Sequence, residues 1–285
     1  MNIIKAHNLA CPLDGLPLTA STNQYVCPSG HNFDVARQAY VNLLPVQQKR
    51  SKNPGDSKAM IDARTAFLNS GLYQPIADRF NEIVVEQIIA NTNPEQCLLD
   101  AGCGEGYYLA LLLACISANT MHKDISLIGL DISKPAIIAA AKRSKQITWL
   151  VASNKQPPLL SGTVDMIFCL FGFPVFESFK KRLRPGGTII LVEAGEHHLI
   201  ELRRLIYPAI KEHVEPDISV YTKYGLSLLD ESRLTYKTAG LSNAQIMNLL
   251  HMTPHLYRAS QEGKQTISTV ESLELTIDVH YRVLT

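Results

Sequence analysis

Residues Leu98 to Gly106 read Leu-Leu-Asp-Ala-Gly-Cys-Gly-Glu-Gly, three glycines at alternate positions between an apolar run and a helical pattern that starts at Tyr107. No other feature of the chain restricts its fold as strongly. A glycine-dense turn between strand and helix lets the backbone pass through left-handed conformations, approach a ligand closely and present the unpaired amides of the helix start. In an open α/β sheet such turns stand at the carboxyl ends of strands, where ligands bind. Asp131 ends the next apolar run, 25 residues past Gly106, and a carboxylate there can accept hydrogen bonds from both hydroxyls of a ribose. The spacing Gly102-x-Gly104-x-Gly106 departs at its third glycine from the Gly-x-Gly-x-x-Gly turn that cradles a dinucleotide pyrophosphate, and Asp100, two places before Gly102, points the same way. The expected ligand carries a nucleoside but is not a dinucleotide.

Around this turn, helix and strand patterns alternate. Periodicity predicts helices over 77–90, 107–117, 134–143 and 176–183, and strands over 96–100, 126–131, 147–152, 164–171 and 188–193. Arg184-Pro185-Gly186-Gly187 stops the last of these helices. Strands joined through helices need right-handed crossovers, which make a parallel sheet covered on both faces: a doubly wound α/β domain. The final third is less regular. Helices are predicted over 201–213 and 243–250, with a stretch rich in Ser, Thr and Tyr between them. In a strand over 272–283, Leu273, Leu275, Ile277, Val279 and Tyr281 share one parity, as for an antiparallel strand added late at the sheet edge. Upstream, residues 46–75 read as a connector holding the turn Asn53-Pro54-Gly55-Asp56-Ser57 and a helix over 58–68, and residues 1–45 as a small separate unit. The expected organisation is therefore 1–45, 46–75 and 76–285.

Composition narrows the function classes. At 46% hydrophobic residues the chain can bury a continuous core. A net charge of +1 gives no general polyanion-binding surface; the clusters Gln47 to Lys52 and Phe179 to Arg184 could each face phosphates or simply be solvated. There is no run of about eighteen apolar residues and no signal-peptide pattern, so the expectation is a cytoplasmic protein that does not enter a membrane. The six cysteines are spread without a disulfide-like framework and are expected to be reduced.

Short, helix-poor segments need a staple, and one is available. Cys11-Pro12-Leu13-Asp14 followed by Cys27-Pro28-Ser29-Gly30-His31 has the spacing of two ligand pairs on two turns, as in a tetrahedral zinc site built from Cys11, Asp14, Cys27 and His31. Asp14 is the irregular member, since a structural zinc site prefers a thiolate there. A metal-free module in which Asp14 caps a turn is the alternative reading.

The stretch Asp100 to Gly106 and the turn Leu183-Arg184-Pro185-Gly186-Gly187 resemble the first motif and the turn before the fifth strand of Rossmann-like methyltransferases. Further residues narrow the resemblance: Cys11, Cys27, His31, Phe33, Asp34, Tyr40 to Pro45, Lys49-Arg50-Ser51, Pro54 to Ser57, Ala63-Arg64, Ala66-Phe67-Leu68, Tyr73-Gln74-Pro75, Cys103 to Tyr108 and Met252-Thr253-Pro254. Together they resemble the 23S ribosomal RNA guanine-N1 methyltransferases, in which Asp14 would replace a cysteine ligand. The resemblance implies a Rossmann-like methyltransferase sheet, mostly parallel with an antiparallel edge strand, plus a small N-terminal zinc-ribbon-like module. It implies S-adenosylmethionine as methyl donor and a ribosomal RNA hairpin as partner. Asp131 would then hold the ribose, Ser153 and Asn154 would lie near the adenine or else serve a turn, and Tyr73, Gly104, Glu105 and His198 would line the cofactor.

A flipped-out guanine would stack on aromatics, for which Phe171, Phe173 and Tyr107 are candidates; each is also readable as core, the plainer role for Phe171. Asp34 is the candidate general base, with a cap after Phe33 as the plainer role. A homodimer would help to span a hairpin. The rival readings are a methyltransferase of another RNA or a small molecule, and a catalytically idle RNA-binding module.

Overall fold

A computed structural model describes residues 1–49, 51–119, 122–210, 219–253 and 255–285. In chain order the strands are β1 (Asn2–Ile4), β2 (Thr19–Ala20), β3 (Gln24–Val26), β4 (Asn32–Asp34), β5 (Tyr40–Asn42), β6 (Glu95–Ala101), β7 (Asp124–Asp131), β8 (Thr148–Val151), β9 (Val164–Leu170), β10 (Leu183–Ala194), β11 (Leu228–Lys237), β12 (Leu241–Ser242), β13 (Ser272–Leu273) and β14 (Thr276–Leu284). The helices are α1 (Lys58–Leu68), α2 (Gln74–Ala90), α3 (Tyr107–Ser117), α4 (Lys134–Arg143), α5 (Phe176–Arg182), α6 (Ile200–Ile206), α7 (Ser219–Lys223), α8 (Asn243–Met252), α9 (His255–Arg258) and α10 (Gln261–Thr269).

The apolar runs of the middle of the chain become the buried centre of one sheet, ordered β11-β14-β10-β9-β6-β7-β8-β5, with β1 also paired to β7. From β10 to β5 every neighbouring pair is parallel. β6 to β8 step one way from the centre and β9 and β10 the other, so the topology switches between β6 and β9, the place where an open α/β sheet leaves a crevice. Each sheet face is covered by its own core. One face packs Ile83, Val84, Leu112, Ile137, Trp149 and Phe168; the other packs Leu9, Leu43, Leu99, Ile128, Phe179 and Leu191.

The antiparallel margin is wider than expected. β14 is antiparallel to β10 as its parity suggests, but it is not the edge, because β11 adds outside it, antiparallel again. β11 arises in the Ser/Thr/Tyr-rich stretch where no element was expected. The strand expected over 272–283 is two pieces, since β13 pairs with β12 instead. The helix expected over 201–213 ends at Ile206, and residues 211–213 lie outside the described ones. Arg184 to Gly187 fall within β10 as an irregularity in its pairing with β9, rather than before the strand.

The N-terminal segment forms a three-stranded antiparallel ribbon, β2-β3-β4, whose Leu9, Cys11, Leu18 and Cys27 are buried in the second core. The flanks of the ribbon are woven into the large sheet. β1 continues the edge of β7, pairing Asn2 with Asp124, and β5 lies parallel to β8, pairing Val41 with Leu150. Among the described residues no helix is long and apolar enough to cross a membrane.

Candidate active site and metal centre

The glycine turn stands at the top of β6, beside the switch point. Gly102, Gly104 and Gly106 all take positive φ, at 95°, 55° and 79°, which residues with a Cβ rarely adopt. The turn is tied to β7: the Gly102 and Cys103 amides donate to Leu130 O at 2.8 and 3.0 Å, and the Gly104 amide donates to Asp131 Oδ2 at 3.0 Å. Ser133 N donates to Asp131 Oδ1 at 2.7 Å, so the carboxylate is held from both sides. Turn and carboxylate form one wall of a cleft of about 980 Å³, at the upper end of the usual size for a ligand pocket.

Buried acceptors wait in that wall. Asp100 is 2% exposed, and burial, then the nearby Asp131, push its carboxyl up to about 8. Among the described residues its Oδ1 has no hydrogen-bond partner, nor has Oδ1 of Asn154, whose Nδ2 donates to Ala101 O at 3.2 Å. Buried polar atoms are nearly always paired, so two orphaned acceptors beside a glycine turn fit a ligand rich in hydroxyls and amino groups. S-adenosylmethionine is such a ligand.

Of the ten residues expected around the cofactor, nine line the cleft: Tyr73, Asp100, Gly102, Gly104, Glu105, Asp131, Ser153, Asn154 and His198. Gly106 does not. A Cβ there would meet Trp149 Cη2 at 2.7 Å and Ala140 Cβ at 2.9 Å, so this glycine lets α3 start hard against β8 and α4. Glu105 is buried and ion-paired with Arg143. Burial raises its carboxyl and Arg143 opposes the rise. Ser153 Oγ accepts from the Lys155 amide at 3.2 Å, the turn role held open for it.

Opposite the turn, Tyr73 Oη lies 3.1 Å from His198 Nε2. The Asp278 amide donates to His198 Nδ1 at 3.3 Å, which assigns the ring proton to Nε2 in the neutral form. Burial lowers His198 to about 4, so the ring is neutral near pH 7. With Nε2–H donating to the phenol oxygen, the Tyr73 hydroxyl proton is left for the cleft.

Phe171, readable from sequence as core, is instead 39% exposed and holds a φ of 51°. That conformation is costly for a bulky residue and is found where surroundings impose it. Its ring lies 5.8 Å from that of His198 and 6.2 Å from that of Tyr73. Phe173 is 87% exposed at the mouth, and Tyr107 lies deeper in the wall. Asp34 does not join this site. It is exposed at the end of β4 on the ribbon and is absent from the cleft walls, because strand alternation turns it to solvent while Phe33 packs inward. Arg64, Asp56 and Glu193 were missed as site residues. Arg64 bridges Asp56 Oδ2 at 2.6 Å and Met252 O at 3.0 Å, drawing α1 and the end of α8 over the cleft. The contact between Arg64 and Met252, 188 residues apart, leaves no local signal.

In the ribbon, Cys11, Asp14, Cys27 and His31 bring one ligand atom each to within 4.8 Å of one another. Cys11 Sγ lies 3.5 Å from His31 Nδ1, Cys27 Sγ 3.3 Å from Asp14 Oδ2, and His31 Nδ1 3.3 Å from the same oxygen. Zinc bonds of about 2.0–2.3 Å in a tetrahedron require ligand separations of roughly 3.3–3.8 Å, so the four residues fit the ion. The Leu16 amide donates to Asp14 Oδ1 at 3.1 Å and is the main reason its carboxyl lies below the usual range.

Both halves of this architecture match known families. Residues 9–52 match the model described as "RlmA, N-terminal", a zinc ribbon, and residues 98–187 match "Methyltransferase domain". A 23S rRNA (guanine(748)-N(1))-methyltransferase of Streptomyces fradiae is 35% identical over 68% of this chain and 66% of its own length. A provisionally named 23S rRNA (guanine-N(1)-)-methyltransferase of Micromonospora griseorubida is 31% identical over 68% of each chain. The chain belongs to the 23S rRNA guanine-N1 methyltransferase family. A further relative in the family, the provisionally named YxjB of Bacillus subtilis strain 168, is 27% identical over 94% of each chain. The ribbon match contains all four candidate metal ligands, and the methyltransferase match runs from the glycine turn through Asp131 to Gly187.

Proposed function

We propose that this protein transfers a methyl group from S-adenosylmethionine to N1 of a guanine in 23S ribosomal RNA. The observation that carries the reading is the pairing, on one chain, of a cleft walled by the glycine turn, Asp131 and orphaned acceptors with a metal-ligand ribbon. Asp131 would accept from the ribose hydroxyls, Asn154 from an amino group, Asp100 would accept once the cationic ligand favours its ionised form, and Tyr73, positioned by His198, would donate into the cleft. When bound, S-adenosylmethionine supplies a sulfonium-activated methyl group.

Guanine N1 is hidden in a duplex or stacked loop, so the target nucleotide has to swing out. Phe171 and Phe173 offer it aromatic faces at the mouth. The ribbon, held together by zinc, would recognise the RNA, while residues 46–75 and 76–285 close over and form the catalytic part. The same reading places the protein in the cytoplasm, bound to an RNA hairpin as a symmetric pair of chains.

The decisive assay incubates ribosomal RNA from a strain lacking this gene with the protein and labelled cofactor, followed by nucleoside mass spectrometry. Label in 1-methylguanosine is the expected result. Label only in another nucleoside, or none, contradicts the assignment.

A further inference from the structure

The cleft has five carboxylates in its walls, and four already have an evident task. Asp100 and Asp131 belong to the cofactor half at the ends of β6 and β7, Glu105 is committed to Arg143, and Asp56 to Arg64. The fifth is Glu193, at the carboxyl end of β10, on the other side of the switch point. This is the half of the cleft left for a methyl acceptor. The Phe171 amide donates to Val192 O at 2.8 Å, so the loop carrying Phe171 and Phe173 is stitched to the residue next to Glu193.

The head of Glu193 is fixed. Arg282 of β14, 5% exposed, donates to its Oε2 at 2.7 Å and also grips Glu231 of β11 at 2.8 Å. The Glu193 side chain lines the cleft and is 33% exposed. Tyr221 of α7, Cys169 of β9, Asp100 of β6 and His280 of β14 are the other titratable groups around it.

Guanine offers two parallel donors on its Watson–Crick edge, N1–H and the exocyclic amine, and an ionised carboxylate is purely an acceptor. No other standard base presents that pair, since adenine and cytosine have an acceptor at the ring nitrogen and uracil has no neighbouring amine. We propose that Glu193 reads the N1–H and amine of the target guanine and takes up the N1 proton during methyl transfer. This rests on the guanine-N1 reading above. As the N1–H bond breaks, its proton passes to the Glu193 carboxylate. The electron pair on N1 forms the bond to the methyl carbon, and the C–S pair departs with sulfur. Carboxylate and sulfonium become carboxylic acid and neutral thioether, so charge and electrons balance.

The test compares wild type with Glu193→Gln on a hairpin transcript, measuring kcat against pH and cofactor affinity by calorimetry. General-base catalysis contributes about 10²–10⁴-fold, so the variant is expected to lose kcat on that scale while keeping cofactor affinity. Its rate should recover as pH approaches the range where guanine N1 ionises unaided. A variant within about threefold of wild type at every pH overturns the role of Glu193 alone; a wild type that makes no 1-methylguanosine sinks the proposed function with it.

Should the variant not fold, inosine at the target position of the transcript decides with the wild type. Inosine keeps N1–H and lacks the amine, and losing one hydrogen bond to a charged acceptor corresponds to about a tenfold or greater fall in kcat/KM. Equal kcat/KM for inosine and guanosine overturns the proposal.

Discussion

His198 shows how much of the candidate site is decided by surroundings that no local sequence pattern reveals. Alone it is one of nine histidines; in the fold it is 8% exposed and bridges Tyr73 and the Asp278 amide. Burial keeps it neutral, with a folded value of about 4 against an ordinary 6.5. Because the folded value is depressed, the unfolded chain takes up a proton first as pH falls from 6.5 toward 4, and stability is lost across that window by up to about 3 kcal/mol. Urea unfolding should therefore show a lower midpoint at pH 4.5 than at pH 7, and His198→Gln, neutral at both, should narrow the gap. An unchanged gap would argue against a buried neutral imidazole. Asp100, Gly102, Gly104 and Asp131 were legible because one strand–turn–helix and the end of the next strand hold them all. Glu193 and Arg64 were not, because their meaning comes from Arg282 and Met252.

At the scale of elements, legibility followed burial. α1, α3 and α4 fall where the sequence places them, because each buries an apolar stripe, such as Ile61, Phe67 and Leu68 of α1, against the rest of the fold. β11 escaped because an edge strand meets solvent: Glu231, Arg233 and Thr235 are exposed, and its apolar Leu228, Leu234 and Tyr236 are only partly buried. β1 and β5 are three residues each, and their partners in β7 and β8 lie about a hundred residues away, beyond any local pattern. The turn between β6 and α3 supports a direct prediction. Gly106→Ala puts a methyl group within 2.9 Å of both Trp149 and Ala140 at a φ of 79°, an overpacking that costs about 1–3 kcal/mol plus backbone strain. At Gly102 the nearest atom to such a methyl is Asn154 Nδ2 at 3.6 Å. Chemical denaturation should show the larger loss for Gly106→Ala, and equal losses would contradict packing as the reason for that glycine.

The whole molecule joins two kinds of stability. The doubly wound sheet has an apolar core on each face, whereas the ribbon contributes only a few buried side chains and depends on its four-residue cluster. Protein purified without chelator should contain about one zinc per chain by elemental analysis, and Asp14→Cys should hold the ion more tightly against a competing chelator, since thiolate suits zinc better than a carboxylate. Folded protein free of zinc, with no gain from Asp14→Cys, would mean that Asp14 is a turn residue only.

The central claim is that the turn at the top of β6 and the carboxylate at the end of β7 grip a methyl donor together. Calorimetric titration of S-adenosylmethionine into wild type and Asp131→Ala tests it most directly. Each hydrogen bond to an ionised group is worth about 1.5–3 kcal/mol, and two ribose hydroxyls share this carboxylate in the account. Affinity should therefore fall about 100-fold or more in a protein whose circular dichroism spectrum is unchanged. Equal affinity in the two proteins would contradict the account.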